Sequence, residues 1–127
     1  MTMRDQGLVK TFNAGAAVAP RRIVAFGGDE RTVIQAAAVT STMFGVSDDV
    51  SAAAAGRGVD VVLTGVATVE YGGTVAPGAP LTSDSIGRAV AAAPAVGTNN
   101  RIVGFAMVAG AVGDLGAVRL AQGSLQG

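Results

Sequence analysis

The chain repeats itself. Residues Val9–Pro20 and Val66–Pro77 carry the same residue at six of twelve positions (Val, Thr, Gly, Val, Ala and Pro), at an offset of 57 counted from Val9 to Val66. Chance in so Ala-, Gly- and Val-rich a chain gives about one or two such matches. The same offset relates Arg31 to Arg88, Val33 to Val90, Gly56 to Gly113, Val61 to Val118 and Leu63 to Leu120. Phe44-Gly45-Val46 aligns with Val103-Gly104-Phe105 after a shift of two. The chain therefore reads as two copies of one unit, residues 8–64 and 65–121. Two copies are too few for a solenoid, so the expectation is a single pseudo-symmetric domain over residues 8–121.

Each unit reads as β. Val59, Val61 and Leu63 alternate onto one face, and Val66–Tyr71 continues beyond Gly65, a place for a bend or bulge. Arg22–Phe26, the turn Gly27–Arg31 and Thr32–Gln35 read as strand, turn and strand. Pro80–Thr82, Ser83–Gly87 and Arg88–Val90 are their counterparts, and Arg101–Ala109 and Ala117–Leu120 complete the set. Alanine patches at Ala36–Val39, Ala52–Ala55 and Ala89–Ala95 predict at most one or two short helical turns, because Gly56, Pro94 and β-branched neighbours stop them. Short strands at intervals of about 8–12 residues predict an all-β fold, a small Gly/Ala/Val-rich barrel or sandwich built from two pseudo-repeats. Closure would hide strand edges. The expected boundaries are a flexible N-terminal arm, residues 1–7, and a loose C-terminal tail, residues 122–127.

Composition narrows the chemistry. The chain lacks Cys, His and Trp, which leaves no thiol nucleophile, imidazole base, disulfide or usual zinc ligand set. No metal and no cofactor is expected. Nine acidic and nine basic residues cancel, so neither nucleic acid nor a membrane surface is an expected partner. Met1–Gly7 holds no apolar stretch of signal-peptide length, and the run Ile102–Gly113 is too short to span a bilayer, so a soluble protein is expected. Half the residues are hydrophobic and the net charge is zero, which excludes a disordered chain.

The remaining candidates for catalysis are weak. Asp29-Glu30 and Asp48-Asp49 are adjacent acids in expected turns, not carboxylates facing each other across a substrate. Ser83 and Ser85 have no histidine to activate them, and Lys10 is the sole lysine. The glycines of Gly110–Gly116 fit no dinucleotide signature. Eight arginines lie scattered without interleaved aromatics. No enzyme is expected.

One resemblance covers nearly the whole chain. Gly72–Asp84, Gly87–Val90, Ile102–Ala106 and Gly113–Leu120 reproduce, in order, the run Gly-x-x-Val-Ala-Pro-Gly-x-Pro-Leu-Thr-x-Asp, then Gly-Arg-Ala-Val, Ile-Val-Gly-Phe-Ala and Gly-Asp-Leu-Gly-x-Val-Arg-Leu. This order resembles the capsid decoration (cement) proteins of tailed bacteriophages. The resemblance implies a compact β domain that binds the outside of the expanded phage head and bridges neighbouring subunits of the major capsid protein. It implies a homo-oligomer, a trimer before a dimer, and no catalytic residue. Residues preceding and opening the first repeat, Met3, Arg4, Asp5, Gln6 and Leu8, are the expected capsid-binding arm, ordering on a partner by strand addition. The competing expectation is a ligand- or glycan-binding β module of a fibre or adhesin.

Overall fold

The computed structural model describes residues 5–48 and 54–127, and every described element is a strand. The first repeat forms β2 (Val9–Ala14), β3 (Ile23–Phe26), β4 (Thr32–Gln35), β5 (Met43–Ser47) and β6 (Gly58–Val62). These close a five-stranded barrel in the order β2-β4-β3-β5-β6. The second repeat forms β7 (Gly65–Glu70), β8 (Pro80–Ser83), β9 (Ala89–Ala91), β10 (Asn99–Ala106) and β11 (Leu115–Gln126). With β1 (Asp5–Gln6) they make a six-stranded sheet, order β1-β7-β11-β10-β8-β9. The all-β expectation holds, and each repeat builds its own sheet.

The repeat is written into the strand registers. In the first unit Val9 pairs Val62, Lys10 pairs Val61 and Thr11 pairs Asp60. In the second, the residues 57 further on pair in the same way: Val66 with Arg119, Ala67 with Val118, Thr68 with Ala117. Val24 opposite Gly45 becomes Leu81 opposite Gly104, with the two-residue shift seen in the sequence. The parallel contact of Ala14 with Val33 that closes the barrel is reduced to a single parallel bridge one residue out of step, Tyr71 to Ala89. Gly45 and Gly104 share a cause. A Cβ on Gly45 would lie 2.6 Å from the Val62 carbonyl oxygen, and one on Gly104 would lie 2.1 Å from that of Arg119. Both strands cross their neighbour too closely for a side chain.

A single antiparallel ladder ties the units together. Asp5 pairs Val66 and Gln6 pairs Gly65; the Gly7 N–H donates to the Thr64 carbonyl (3.0 Å) and the Leu63 N–H to that of Leu8 (2.8 Å). The ladder then runs on from Val9–Val62 to Asn13–Gly58 without a change of register. Residues 5–13 thus form one ribbon with 58–66, crossing from the first sheet to the second.

Two apolar clusters follow. One fills the first barrel around Phe12, Val24, Val33, Phe44, Val59 and Val61. The other fills the second unit around Val69, Tyr71, Leu81, Val103 and Val118, and continues into Ile23, Met43, Val46 and Val62 on the outside of the first barrel. Strand β5 is buried along its whole length because it serves both clusters.

Two expectations are corrected, and the limit of one or two short helical turns holds. Residues 122–127 are no loose tail: β11 runs to Gln126, which pairs Asn99, because β10 supplies backbone partners along the far half of the strand. Of the arm 1–7, Asp5 and Gln6 are held as β1 on β7, and residues 1–4 lie outside the described residues. The alanine patches form no helical turn among the described residues; Ala89–Ala91 is strand β9, paired with β8, and Ala36–Val39 is irregular connection. Residues 49–53, with Asp49 and part of the Ala52–Ala55 patch, lie outside the described residues.

Candidate interaction surfaces

One ion pair joins the two units, and a second charged residue supports it. The Arg22 guanidinium reaches Glu70 Oε1 (3.3 Å) and donates to the Ile86 carbonyl (3.0 Å), which also accepts from Gln35 Nε2 (3.1 Å). Arg88 Nε pairs Asp84 Oδ2 at 2.8 Å and lies 4.0 Å from Glu70. Two of the arginines that look scattered in sequence therefore meet at one seam, with Glu70 and Asp84 as their partners.

The seam has two faces. The second unit contributes the β8–β9 turn, Ser83 to Gly87. The Gly87 carbonyl accepts from the Ile23 N–H (2.7 Å), and Ser83 Oγ donates to the Ala36 carbonyl (3.2 Å). The first unit contributes the outside of β3 and β5 and the β4–β5 connection, where the Val39 carbonyl accepts from the Arg101 N–H (2.8 Å). Ser83 is thus a structural hydroxyl, buried and engaged with main-chain carbonyls.

The counterpart turn of the first unit, Phe26 to Glu30, is uncovered. Phe26 stacks on Phe44 with ring centroids 4.1 Å apart and planes 8° from parallel, and Phe44 meets Phe12 edge-on at 5.3 Å. Phe12 and Phe44 are buried, whereas Phe26 keeps 43% of its surface exposed. It lines a recess of about 370 Å³ with Gly28, Asp29 and Glu30. Asp29 caps its own turn by accepting from the Arg31 N–H (2.9 Å), and that backbone bond, with help from Thr32, lowers its pKa below the ordinary carboxylate value. The Lys10 ammonium lies 5.4 Å from the Phe12 ring centroid, a cation–π distance.

Of the expected arm residues, Met3 and Arg4 lie outside the described residues. Asp5 and Gln6 sit on β1, which pairs β7 and ends the sheet order, leaving its other edge without a described strand. Leu8 is 57% exposed beside the crossing of the two units. The structure does not gather the candidate catalytic groups: Asp29 and Glu30 stay in their turn, Asp48 follows β5, and no cluster of three or more acidic metal-ligating side chains occurs among the described residues. Sequence reasoning missed Phe26 and Phe105 as surface residues. The repeat alignment held the signal, since Phe26 stands opposite Ser83 and Phe105 opposite Val46, large aromatics where the other copy has a small buried residue.

A barrel joined to a six-stranded sheet, with no convergent polar centre among the described residues, says little about function by itself. Comparison with known families is decisive here: the phage cement protein family matches residues 3–121. The chain belongs to that family. Membership gives it a capsid-associated structural role and association with the virion. Among solved structures, the chain is similar to the head fiber gp8.5 N base of bacteriophage phi29, with a TM-score of 0.68 and 21% identity, over 94% of this chain and 98% of that one. At that identity the likeness concerns the fold. No curated protein matches the chain.

Proposed function

We propose that this cement-family protein binds the outer surface of the expanded phage head and stabilises contacts between neighbouring major capsid protein subunits, as a homo-oligomer with a trimer favoured over a dimer. It is made in the host cytoplasm and acts without cofactor or catalysis. The observation that carries the reading is the family match across both repeats. The architecture supports it: two sheets share one apolar cluster and one ribbon, so load applied to one unit is transmitted to the other. A ligand that binds only the expanded lattice shifts the shell toward that state by its differential affinity. Several attachment points on one oligomer multiply the effect.

The N-terminal segment enters this reading with a changed geometry. Asp5 and Gln6 do not act as a free arm, because β1 is already on β7; Met3, Arg4 and Leu8 complete the proposed capsid-binding segment. The outer edge of β1 offers backbone groups to a capsid strand, with exposed Leu8 beside it. Co-sedimentation tests the function. The protein is expected to pellet with expanded empty heads and to stay in solution with unexpanded ones; equal or absent binding to both would overturn the proposal.

A further inference from the structure

One end of the first barrel carries an aromatic platform. Phe12, Phe26 and Phe44 meet there, and Phe44 covers one face of the Phe26 ring. The rest of that ring is exposed and lines the mostly apolar recess of about 370 Å³ with Gly28, Asp29 and Glu30. Strand pairing sets up the rim. Asn13 of β2 pairs Thr32 of β4, and its N–H donates to the Arg31 carbonyl (2.8 Å), so the Gly27–Arg31 turn lies alongside β2. A second recess of about 210 Å³ between them shares Glu30 and adds Lys10, Asn13 and Arg31. The fold itself does not ask for an aromatic here: the second unit sets a buried serine, Ser83, at the position of Phe26.

We propose that this barrel mouth is a saccharide site, taking a neutral pyranose with its apolar C–H face on the Phe26 ring and its hydroxyls on Asp29, Glu30 and Asn13. A flat ring at the floor of a recess selects a flat apolar face, and carboxylates and an amide at the rim select hydroxyl groups. Charge decides between a neutral ligand and an ionic one. Asp29 and Glu30 are matched by Lys10 and Arg31 around the same two recesses, and no ion pair among the described residues takes up any of the four. The two signs cancel, so the mouth favours neither a guanidinium nor a carboxylate. A purely apolar side chain would strip water from those four groups and return no hydrogen bonds. Asp29 is held by its bond from the Arg31 N–H (2.9 Å), so this part of the rim is set before a ligand arrives. Many copies on one head would turn weak single contacts into a firm hold on a saccharide-coated surface. The proposal goes beyond capsid binding and does not rest on it, since the free protein carries the site.

NMR titration of the isotopically labelled protein with neutral methyl pyranosides (gluco, galacto, manno and N-acetylglucosamino) tests the site. Saturable shifts are expected with at least one of these sugars, at the amides of residues 10–13 and 26–31, and unchanged when salt is raised. Phe26→Ala is expected to weaken binding roughly tenfold through loss of the stacked face. Phe26→Leu keeps apolar cover over Phe44 without a flat ring. It is expected to melt at the wild-type temperature and to bind as poorly as Phe26→Ala. Glu30→Gln keeps groups that bond hydroxyls without the charge, and is expected to change affinity by about threefold at most. Ethylguanidinium and acetate serve as ionic probes and are expected to leave those amides unshifted. No saturable shift with any of the sugars, shifts centred elsewhere, full binding by Phe26→Leu, or saturation by an ionic probe would overturn the proposal. Sugar binding by a protein that ignores expanded heads would leave the site standing and overturn the capsid reading alone.

Discussion

The Tyr71 ring stands where a side chain on Gly116 would have to be: a Cβ there would lie 2.2 Å from Tyr71 Cζ. In the first barrel the corresponding residues are Ala14 and Val59, so bulk has moved from one strand to the other. Phe12 and Phe44 of the first barrel likewise correspond to the smaller Val69 and Val103 of the second unit. Gly116→Val should overpack the second unit and cost roughly 1–3 kcal/mol. Tyr71→Ala should cost about 3–5 kcal/mol, as for other buried aromatics. The double variant, which restores the first barrel's pair, should be more stable than the sum of the single losses, measured by chemical denaturation.

Burial raises the Tyr71 pKa, and its hydroxyl donates to the Val108 carbonyl at 2.9 Å. The folded state therefore holds the phenolic proton longer than the unfolded chain. The stabilisation is complete below the unfolded value near 10 and declines as pH rises above it. Melting temperature should fall above that pH, and Tyr71→Phe should remove this part of the alkaline loss. An unchanged slope in the variant would contradict the assignment.

A third test concerns the ribbon. A Cβ on Gly7 would sit 2.2 Å from Thr64 Oγ1, which accepts from the Leu8 N–H at 2.7 Å. Gly7→Val should break the ladder at the crossing and leave the first barrel intact. Hydrogen exchange should speed up at the β1–β7 pairs and remain slow at Val24 and Val61.

Arg22 makes the seam's central ion pair with its side chain only 16% exposed. Arg22→Ala removes charge-assisted bonds to Glu70 and the Ile86 carbonyl, at a cost of about 1.5–3 kcal/mol for a hydrogen-bonded charged group. Proteolysis should then cut between the units before it cuts within either, with the seam opening as a local event.

How much of this was legible beforehand depends on what the repeat preserves. The registers were: backbone pairing tolerates side-chain change, so Val9 and Val61 kept their partners 57 residues on. The two-residue slip ahead of Gly104 was also visible. The cores were not, because Tyr71 and Gly116 exchange volume across a strand pair that sequence comparison treats as two unrelated mismatches. The strand at 122–126 was hidden because Gln122, Gly123 and Ser124 have no apolar alternation; the β10 backbone ladder holds them, and the Gln122 and Ser124 side chains add bonds to the Phe44 and Asn100 carbonyls. Asp5 and Gln6 were read as an arm for the same reason. At the interaction surfaces, no motif marks Phe26 and Phe105; the only sequence trace is their mismatch in size with Ser83 and Val46 in the repeat alignment, and it takes the burial of those two residues to give it meaning.

The most direct test of the central claim is a cryo-EM map of expanded, emptied heads saturated with the purified protein. Two-lobed density of this fold on the outer surface, bridging adjacent capsid subunits, is the expected result. A bare shell at saturating concentration, or density that touches only one capsid subunit, would contradict it.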